Sequence, residues 1–595
     1  VELDDNSNAD NRRVFLLPQG SSEVSCPAGV YTARTYVYFQ EVAVLVDIQE
    51  VKVQAGGMAL LPLNIVEASA GTLLRFDADG DLVLDRVEEQ VGTNRNDPGE
   101  YPGAQQVKHD QRVLSKEAGW YRGDLHVRSK NGGGTESVAE LVTRAEKSGL
   151  DFIAVADRNS MASAQDPAFE SDKLVLIPAM EWGGEERGVA LVYGPKTVPP
   201  LPGSLVGGSG KGADSEFVQS ARFAEAQSIV YRVQAQDGTF AIAHPCFPTA
   251  PWQWGLRYVN SVQVWCRSWN DVPPLSLEHL ESEYRRRNEE GKLVHSLALA
   301  ANTPNLYTIY SANSQAESFW DHELAKGLRA SPIGGSLSSS PKVDMGEPVT
   351  YVYAEEKSVE GILDGIRRGR TYVSRGMNGP RVVFGADILR DMSREKEVGA
   401  WEGFELSAVS KERVDNQFDA SIGGIIPIGR LAEFYVNVLD AKGKKVQVLR
   451  DGRPIINKLA DSDKFLMRFK QAPTGRSVYR VRVVEAVEDY AEVDQKAFGG
   501  VEVLALTGPI YAEPTVITDP KFDPMDYWME LRQEGRSADL ARTVNTPEGK
   551  TLVLSNDAQR MPAQFQEPAG AQFQSPPAQA PADNAPLPPV QSPLR

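Results

Sequence analysis

Cysteine, positive charge and long apolar runs are what this chain has least of, and each shortage narrows its function. Three cysteines, Cys26, Cys246 and Cys266, allow at most one intramolecular disulfide, so a disulfide-built scaffold is excluded and the redox compartment is only weakly constrained. Lys and Arg number 63 against 81 Asp and Glu, a net charge of −18, and no basic run stands out. Neither nucleic acid nor an anionic membrane surface is an expected partner. No apolar stretch is long enough to span a bilayer. What is present is an ordinary globular composition, 41% hydrophobic and 24% charged, in 595 residues. That is too long for one core and suggests about three or four domains. The first residue is Val1 rather than Met. A cleaved secretory signal would leave such a start, as would a shortened chain, so the expected setting is extracytoplasmic: periplasmic, cell-envelope or secreted.

Texture divides the chain into five. Residues 1–90 are rich in β-branched and aromatic residues between Gly and Pro breaks, as in VYTARTYVYFQEVAVLVDIQEVKVQ, and suggest a small β-sandwich. Residues 91–118 are polar with turn formers and read as a linker. From 119 to 385 strands alternate with helices: GWYRGDLHV, the amphipathic TESVAELVTRAEKSG, LDFIAVAD, KLVLIPAMEW, SEFVQSARFAEAQSIVYRVQAQ, TFAIAHP and SVQVWC. Such alternation implies a parallel sheet or barrel with function at the carboxyl ends of its strands. Residues 386–515 return to β texture and suggest a second sandwich. Residues 516–595 end in a Pro-, Gln- and Ala-rich extension too poor in large apolar residues to build a core.

Several segments of the alternating region, in order, carry a resemblance: YRGDLHVRSKNGGGTESVAELVTRAEKSGLDFIAVADRN, IPAMEW, AIAHP, VQVW and FWDHELAKGLRASPIGGSLSSS. With MGEPVTYVYAEEKSVEGILDGIRRGRTYVS and TGPIYAEP they resemble the PHP (polymerase and histidinol phosphatase) superfamily, and within it the CehA/McbA-type metallohydrolases. The resemblance implies a distorted β/α barrel flanked by β-sandwich-like domains. It also implies two or three metal ions and hydrolysis of phosphate esters or related bonds.

The ligands implied by that resemblance are mostly replaced. The family's His-x-His stands here as His126-Val-Arg128, and its acidic Ser-Asp-Gly aligns with Gly132, Gly133 and Gly134. Its Thr-Asp-His is Ala156-Asp157-Arg158, and its Gly-Ser-Asp-x-His is Gly335-Ser336-Leu337-Ser338-Ser339. A further family histidine is missing from EERGVALVYG. His126, Glu181 and His244 survive as vestigial metal-ligand candidates. A guanidinium has no lone pair for a cation and repels one. Arg128 and Arg158 are therefore expected either to replace lost metal charge beside Asp124, Asp157 and Glu181, or to form an anion-binding pair.

The leading expectation is a catalytically degenerate PHP-like domain, without cofactor, serving as an exported structural or binding component. Its partner would be another protein or a second copy, reached through the β regions and the tail. One rival is a phosphoesterase-like hydrolase with a reduced site for zinc, manganese or iron at His126, Glu181 and His244; another is a small-anion-binding protein with an Arg-lined cleft. Two smaller signals remain. DADGDLVLDRVE places Asp77, Asp79, Asp81 and Glu88 at positions of a calcium-loop template, but Leu82 stands where the template wants glycine. The flanking texture favours a hairpin with a DG turn instead. Cys246 and Cys266 lie just past consecutive strand ends, where they would form either a disulfide or two separate buried thiols.

Overall fold

The computed structural model describes residues 1–7, 12–15, 24–38, 42–61, 74–184, 187–201, 216–247, 250–267, 312–389, 418–486, 502–514, 545–546 and 549–550. They form a mixed α/β protein of large sheets and few helices. Two compact units are present, Val1–Leu540 and Ala541–Arg595. In the second, the described residues are one short antiparallel pair, Asn545–Thr546 with Gly549–Lys550. The extension after about residue 558 lies outside the described residues.

The N-terminal region is one antiparallel sheet, not a sandwich, among its described residues. Strands β1 (Glu2–Asp5), β2 (Arg12–Val14), β3 (Gly29–Tyr38) and β4 (Ala43–Val53) lie in the order β2-β1-β3-β4. The apolar face of β4 is covered by a loop and a helix, through Leu74, Leu82, Val83, Leu84 and Val87. Residues 77–88 are therefore not the expected hairpin. A loop runs to Leu84, and helix α1 spans Asp85–Val91 and ends on Gly92 in the left-handed region. Seven residues are too few to show helical periodicity, which hid it from the sequence. The 91–118 segment has no long element but is bridged to the next region at Gln106–Thr197 and Ser115–Lys357.

The middle region contributes β5 (Gly119–Val127), β6 (Phe152–Arg158), β7 (Val175–Gly184), β8 (Gly188–Tyr193), β9 (Thr239–Ile242), β10 (Ser261–Cys266), β11 (Ser331–Gly335), β12 (Val349–Ala354) and β13 (Thr371–Ser374). Its helices are α2 (Val138–Ser148), α3 (Glu216–Ala235), α4 (Ala312–Ala325) and α5 (Val359–Arg367). Local chemistry explains α2: Ser137 and Glu140 form a capping box, and Gly149 closes its end at φ 73°. Helix α5 buries Ile362, Leu363 and Ile366 against the sheet, each worth about 2 kcal/mol.

The strands run β11-β10-β9-β8-β7-β6-β5-β12-β13. The β5–β6–β7 and β9–β10–β11 runs are parallel, while β8 is antiparallel to both neighbours and β12 is antiparallel to β5. The sheet curls until the residues after β11 meet the end of β5, through one bridge between Val127 and Ser338. In place of the expected distorted β/α barrel, the strands of the described residues pair as a curled sheet joined by that one bridge.

The ladder does not stop at the boundary drawn near 385. Tyr372, Val373 and Ser374 of β13 pair with Thr507, Leu506 and Ala505 of β22 (Val503–Thr507). From there the sheet continues into β21 (Ser477–Glu485), β18 (Lys444–Arg450) and β19 (Arg453–Leu459). A second sheet of β14 (Arg381–Ile388), β15 (Ala420–Ser421), β17 (Ala432–Leu439) and β20 (Lys464–Gln471) faces this extension. Phe384, Phe434, Phe469, Tyr479 and Val481 fill the space between them. Short strands β16 (Ile425–Pro427) and β23 (Ile510–Glu513) complete it. Arg480 of β21 is 1% exposed and grips Asp321 of α4 with two bonds of 2.6 and 2.7 Å and Glu317 with a third of 2.7 Å.

Candidate functional site

The carboxyl ends of β5, β6, β7 and β10, with the turns after β9 and β11, converge on one buried mouth. At its centre is Glu181 near the end of β7, 1% exposed. Two side chains from the end of β5 reach the same Glu181 oxygen. Arg128 bonds Oε2 through Nη2, and His126 Nε2 lies 3.4 Å from it. Burial alone would raise the Glu181 pKa, but the hydrogen bond and charge of His126 and the guanidinium of Arg128 outweigh it and hold the carboxyl below its usual range.

Both histidines are fixed by their surroundings. His126 is fully buried, and the Gln263 amide on β10 sits 3.2–3.3 Å from its Nδ1. His244 lies in the turn after β9 with φ 26°, its ring stacked parallel to that of His126 with centroids 6.0 Å apart. Burial, with the nearby His126 and Arg128 charges, pushes the His244 pKa down to about 3 against the pull of Glu181. Its imidazole is neutral at ordinary pH.

The other two carboxylates do not share Arg128. Asp124 Oδ1 accepts from the main-chain N–H of His126 (3.1 Å) and Ser336 (3.0 Å), and Oδ2 from that of Gly346 (2.9 Å). Burial raises its pKa and these bonds hold it back. Asp157 accepts from the N–H (2.7 Å) and hydroxyl (2.8 Å) of Ser129 and from the hydroxyl of Ser163 (2.5 Å). Arg158 is exposed and forms no ion pair among the described residues, so its expected part in the mouth is corrected. The last residue of β6 points outward because Asp157 before it points in, and alternation along the strand places the next side chain on the other face.

Glycine shapes the loop that follows Arg128. A Cβ at Gly132 would fall inside Asp157 Cβ, and one at Gly134 would strike the Arg128 carbonyl. The loop closes on the end of β6 only without side chains at 132 and 134; at Gly133, the acidic position of the family motif, there is room for a Cβ but φ 101° disfavours any side chain. Past β11, Leu337 (φ 51°) turns the chain so that Ser338 accepts from the Arg128 N–H at 2.9 Å and takes a bond from Arg144 at 2.8 Å. Hydroxyls and main-chain groups here lock loops together.

His126, Glu181 and His244 do not fit the metal that the resemblance implies. Among the described residues, the one group of three His, Cys, Asp or Glu side chains whose ligand atoms all lie within 4.8 Å of one another is elsewhere, at Asp77, Asp79 and Asp81. In the mouth, the Glu181 oxygen that would face a cation is held by a permanent positive charge, and His126 turns its Nε2 to the same oxygen. The disulfide raised as one option is not formed, and both thiols are free and buried. Cys246 packs among Trp252, Trp254 and Trp265, where burial raises its pKa to about 12. Cys266 ends β10, its N–H bonded to Asn313 at 3.1 Å.

Three residues that the sequence did not point to help build the mouth: Gln263, Ser129 and Ser163. Gln263 was detectable as the one polar side chain inside the otherwise apolar strand SVQVWC. The serines carry no such signal, since their role depends on loop closure.

No family model matches the sequence, and no curated protein matches it either. Among solved structures the chain is similar to a two-domain protein from Bacteroides vulgatus containing a predicted PHP-like metal-dependent phosphoesterase. That likeness has 13% identity and a TM-score of 0.29, covering 69% of this chain and 99% of the other. A candidate metal-dependent phosphoesterase from Bifidobacterium adolescentis is similar at 14% identity and a TM-score of 0.20, over 38% of this chain and 90% of the other.

Proposed function

We propose that this chain is a PHP-like scaffold whose mouth no longer performs metal chemistry, and that it works as a structural or binding component. One observation carries the reading: Arg128 and His126 both address the same oxygen of buried Glu181. Metal-assisted hydrolysis requires a cation to activate water and polarise the scissile group. Here a guanidinium supplies the positive charge without offering an open coordination position. An anion would have to displace Glu181 from Arg128 and, among the described residues, would find no second guanidinium on Glu181, which weighs against the anion-carrier reading. On the proposed reading the working surface lies outside the mouth. A protein partner or a second copy is then to be sought on the flanking β regions, and an extracytoplasmic setting belongs to the same proposal.

The test is elemental analysis of the purified full chain together with hydrolysis of bis(p-nitrophenyl) phosphate in the presence of zinc, manganese or iron. The expected result is no stoichiometric transition metal and no turnover above buffer. A bound equivalent that disappears, with activity, in both His126→Ala and His244→Ala would overturn the proposal.

A further inference from the structure

A second cluster of acids sits far from the mouth along the chain, in the loop before α1. Asp77, Asp79 and Asp81 place ligand oxygens within 4.8 Å of one another. Asp77, Asp81 and Glu88 are each 0% exposed. Both oxygens of Glu88, and Oδ2 of Asp81, are buried without a hydrogen-bond partner. Leaving a buried carboxylate without donors costs several kcal/mol on general grounds, so native folds pair such groups or give them a cation. The nearby guanidinium groups do not hydrogen-bond the carboxylates of Asp81 or Glu88, although the charge of Arg232 acts on Asp81. Arg232 donates from Nε to the main-chain carbonyl of Asp81 at 2.9 Å, and Arg86 donates to the Val46 carbonyl at 2.6 Å. Arg95 lies 3.7 Å from Asp85 and pairs with Glu89.

Spacing and backbone agree with these unmet oxygens. Asp77, Asp79, Asp81, Asp85 and Glu88 fall at positions 1, 3, 5, 9 and 12 of a calcium-binding loop, and Val83 falls at position 7, which supplies a main-chain oxygen. Position 6 normally needs glycine because the chain must turn with positive φ. Leu82 occupies it and makes that turn at φ 69°, so the residue type that argued against the template did not prevent its geometry.

We propose that residues 77–88 bind one Ca2+ through the carboxylates of Asp77, Asp79, Asp81 and Glu88, with Val83 and Asp85 completing the shell. Oxygen-only, carboxylate-rich donors with no His or Cys suit a hard cation. The ion would be structural. Leu45 N–H bonds the Leu82 carbonyl at 2.9 Å, and Leu84 N–H bonds the Leu45 carbonyl at 3.2 Å, so fixing the loop fixes β4. The Arg232 bond to Asp81 ties the same loop to α3.

The experiment is calorimetric titration of the chelator-stripped full chain with CaCl2, alongside thermal unfolding with and without Ca2+. One equivalent should bind and raise the unfolding midpoint in proportion to log[Ca2+]. Glu88→Gln should weaken binding by more than about tenfold, and so should Glu88→Asp, which keeps the charge and serves if the first variant does not fold. His126→Ala should leave the Ca2+ isotherm unchanged, which separates this site from the mouth. No heat and no midpoint shift up to about 10 mM Ca2+, beyond the weakest known loops, would overturn the proposal. So would binding that survives both Glu88 variants or is lost in His126→Ala.

Discussion

Replacing Arg128 by Met tests whether the guanidinium is what makes the mouth stable. The Glu181 side chain is 1% exposed and that of Arg128 12%. Removing one partner of a buried pair typically costs about 3–5 kcal/mol. Two features of this site reduce that figure. Arg128 retains a little solvent contact, and His126 stays beside the orphaned carboxylate, its Nε2 3.4 Å from Oε2. The expected loss is therefore about 2–4 kcal/mol. Urea denaturation followed by the fluorescence of Trp182, fully buried next to Glu181 in sequence, would read it. The double variant Arg128→Met/Glu181→Gln should recover a good part of the loss, because the charge that needed a partner has gone. A double-mutant coupling below about 0.5 kcal/mol would refute the reasoning.

The wild-type chain should lose stability in acid. His244 titrates near 3 when folded against an ordinary 6.5, so the unfolded chain takes its proton first. This contribution is fully present above about pH 6.5 and is lost toward pH 3, by up to about 4 kcal/mol. A denaturation series between pH 6.5 and 5 should show a slope that His244→Gln removes; an unchanged slope would contradict the assignment. Gly132→Ala should cost about 1–3 kcal/mol by forcing the loop off Asp157, measured as a shift in denaturation midpoint at constant m-value. Arg480→Met should cost about 3–5 kcal/mol by orphaning Asp321, while Glu317 keeps Arg482 at 3.0 Å, and Arg480→Lys should rescue only part, since an ammonium cannot reproduce the two-bond grip on Asp321.

Long periodic elements were the legible part of this fold. LDFIAVAD and SVQVWC became buried strands, and TESVAELVTRAEKSG became a capped helix, because period and end signals agreed. The strand in EERGVALVYG was not legible, because a six-residue fully buried run, GVALVY, shows no alternation to mark it as a strand. Helix α1 was hidden by its seven-residue length, and the DG turn signal was stronger than any helical one. In the mouth, Arg128 beside Glu181 followed from charge arithmetic on strand ends. The separate treatment of Asp124 and Asp157 did not, because their partners are main-chain N–H groups and serine hydroxyls delivered by loops. Loop closure is a tertiary event, and no local pattern announces it.

The hydrogen-bonded seam between β13 and β22 bears on how such a chain can be inherited. Three residues of β13 find their partners more than a hundred positions downstream, in a strand whose other edge continues into β21. A recombination event that exchanged residues 386–513 for an unrelated module would have to deliver a strand of matching direction, register and alternation. Otherwise β13 would be left as a raw edge beside β12, open to pairing with another chain. The seam therefore makes the middle region and the β region after it one mechanical piece, and an exchange on one side must satisfy the edge on the other.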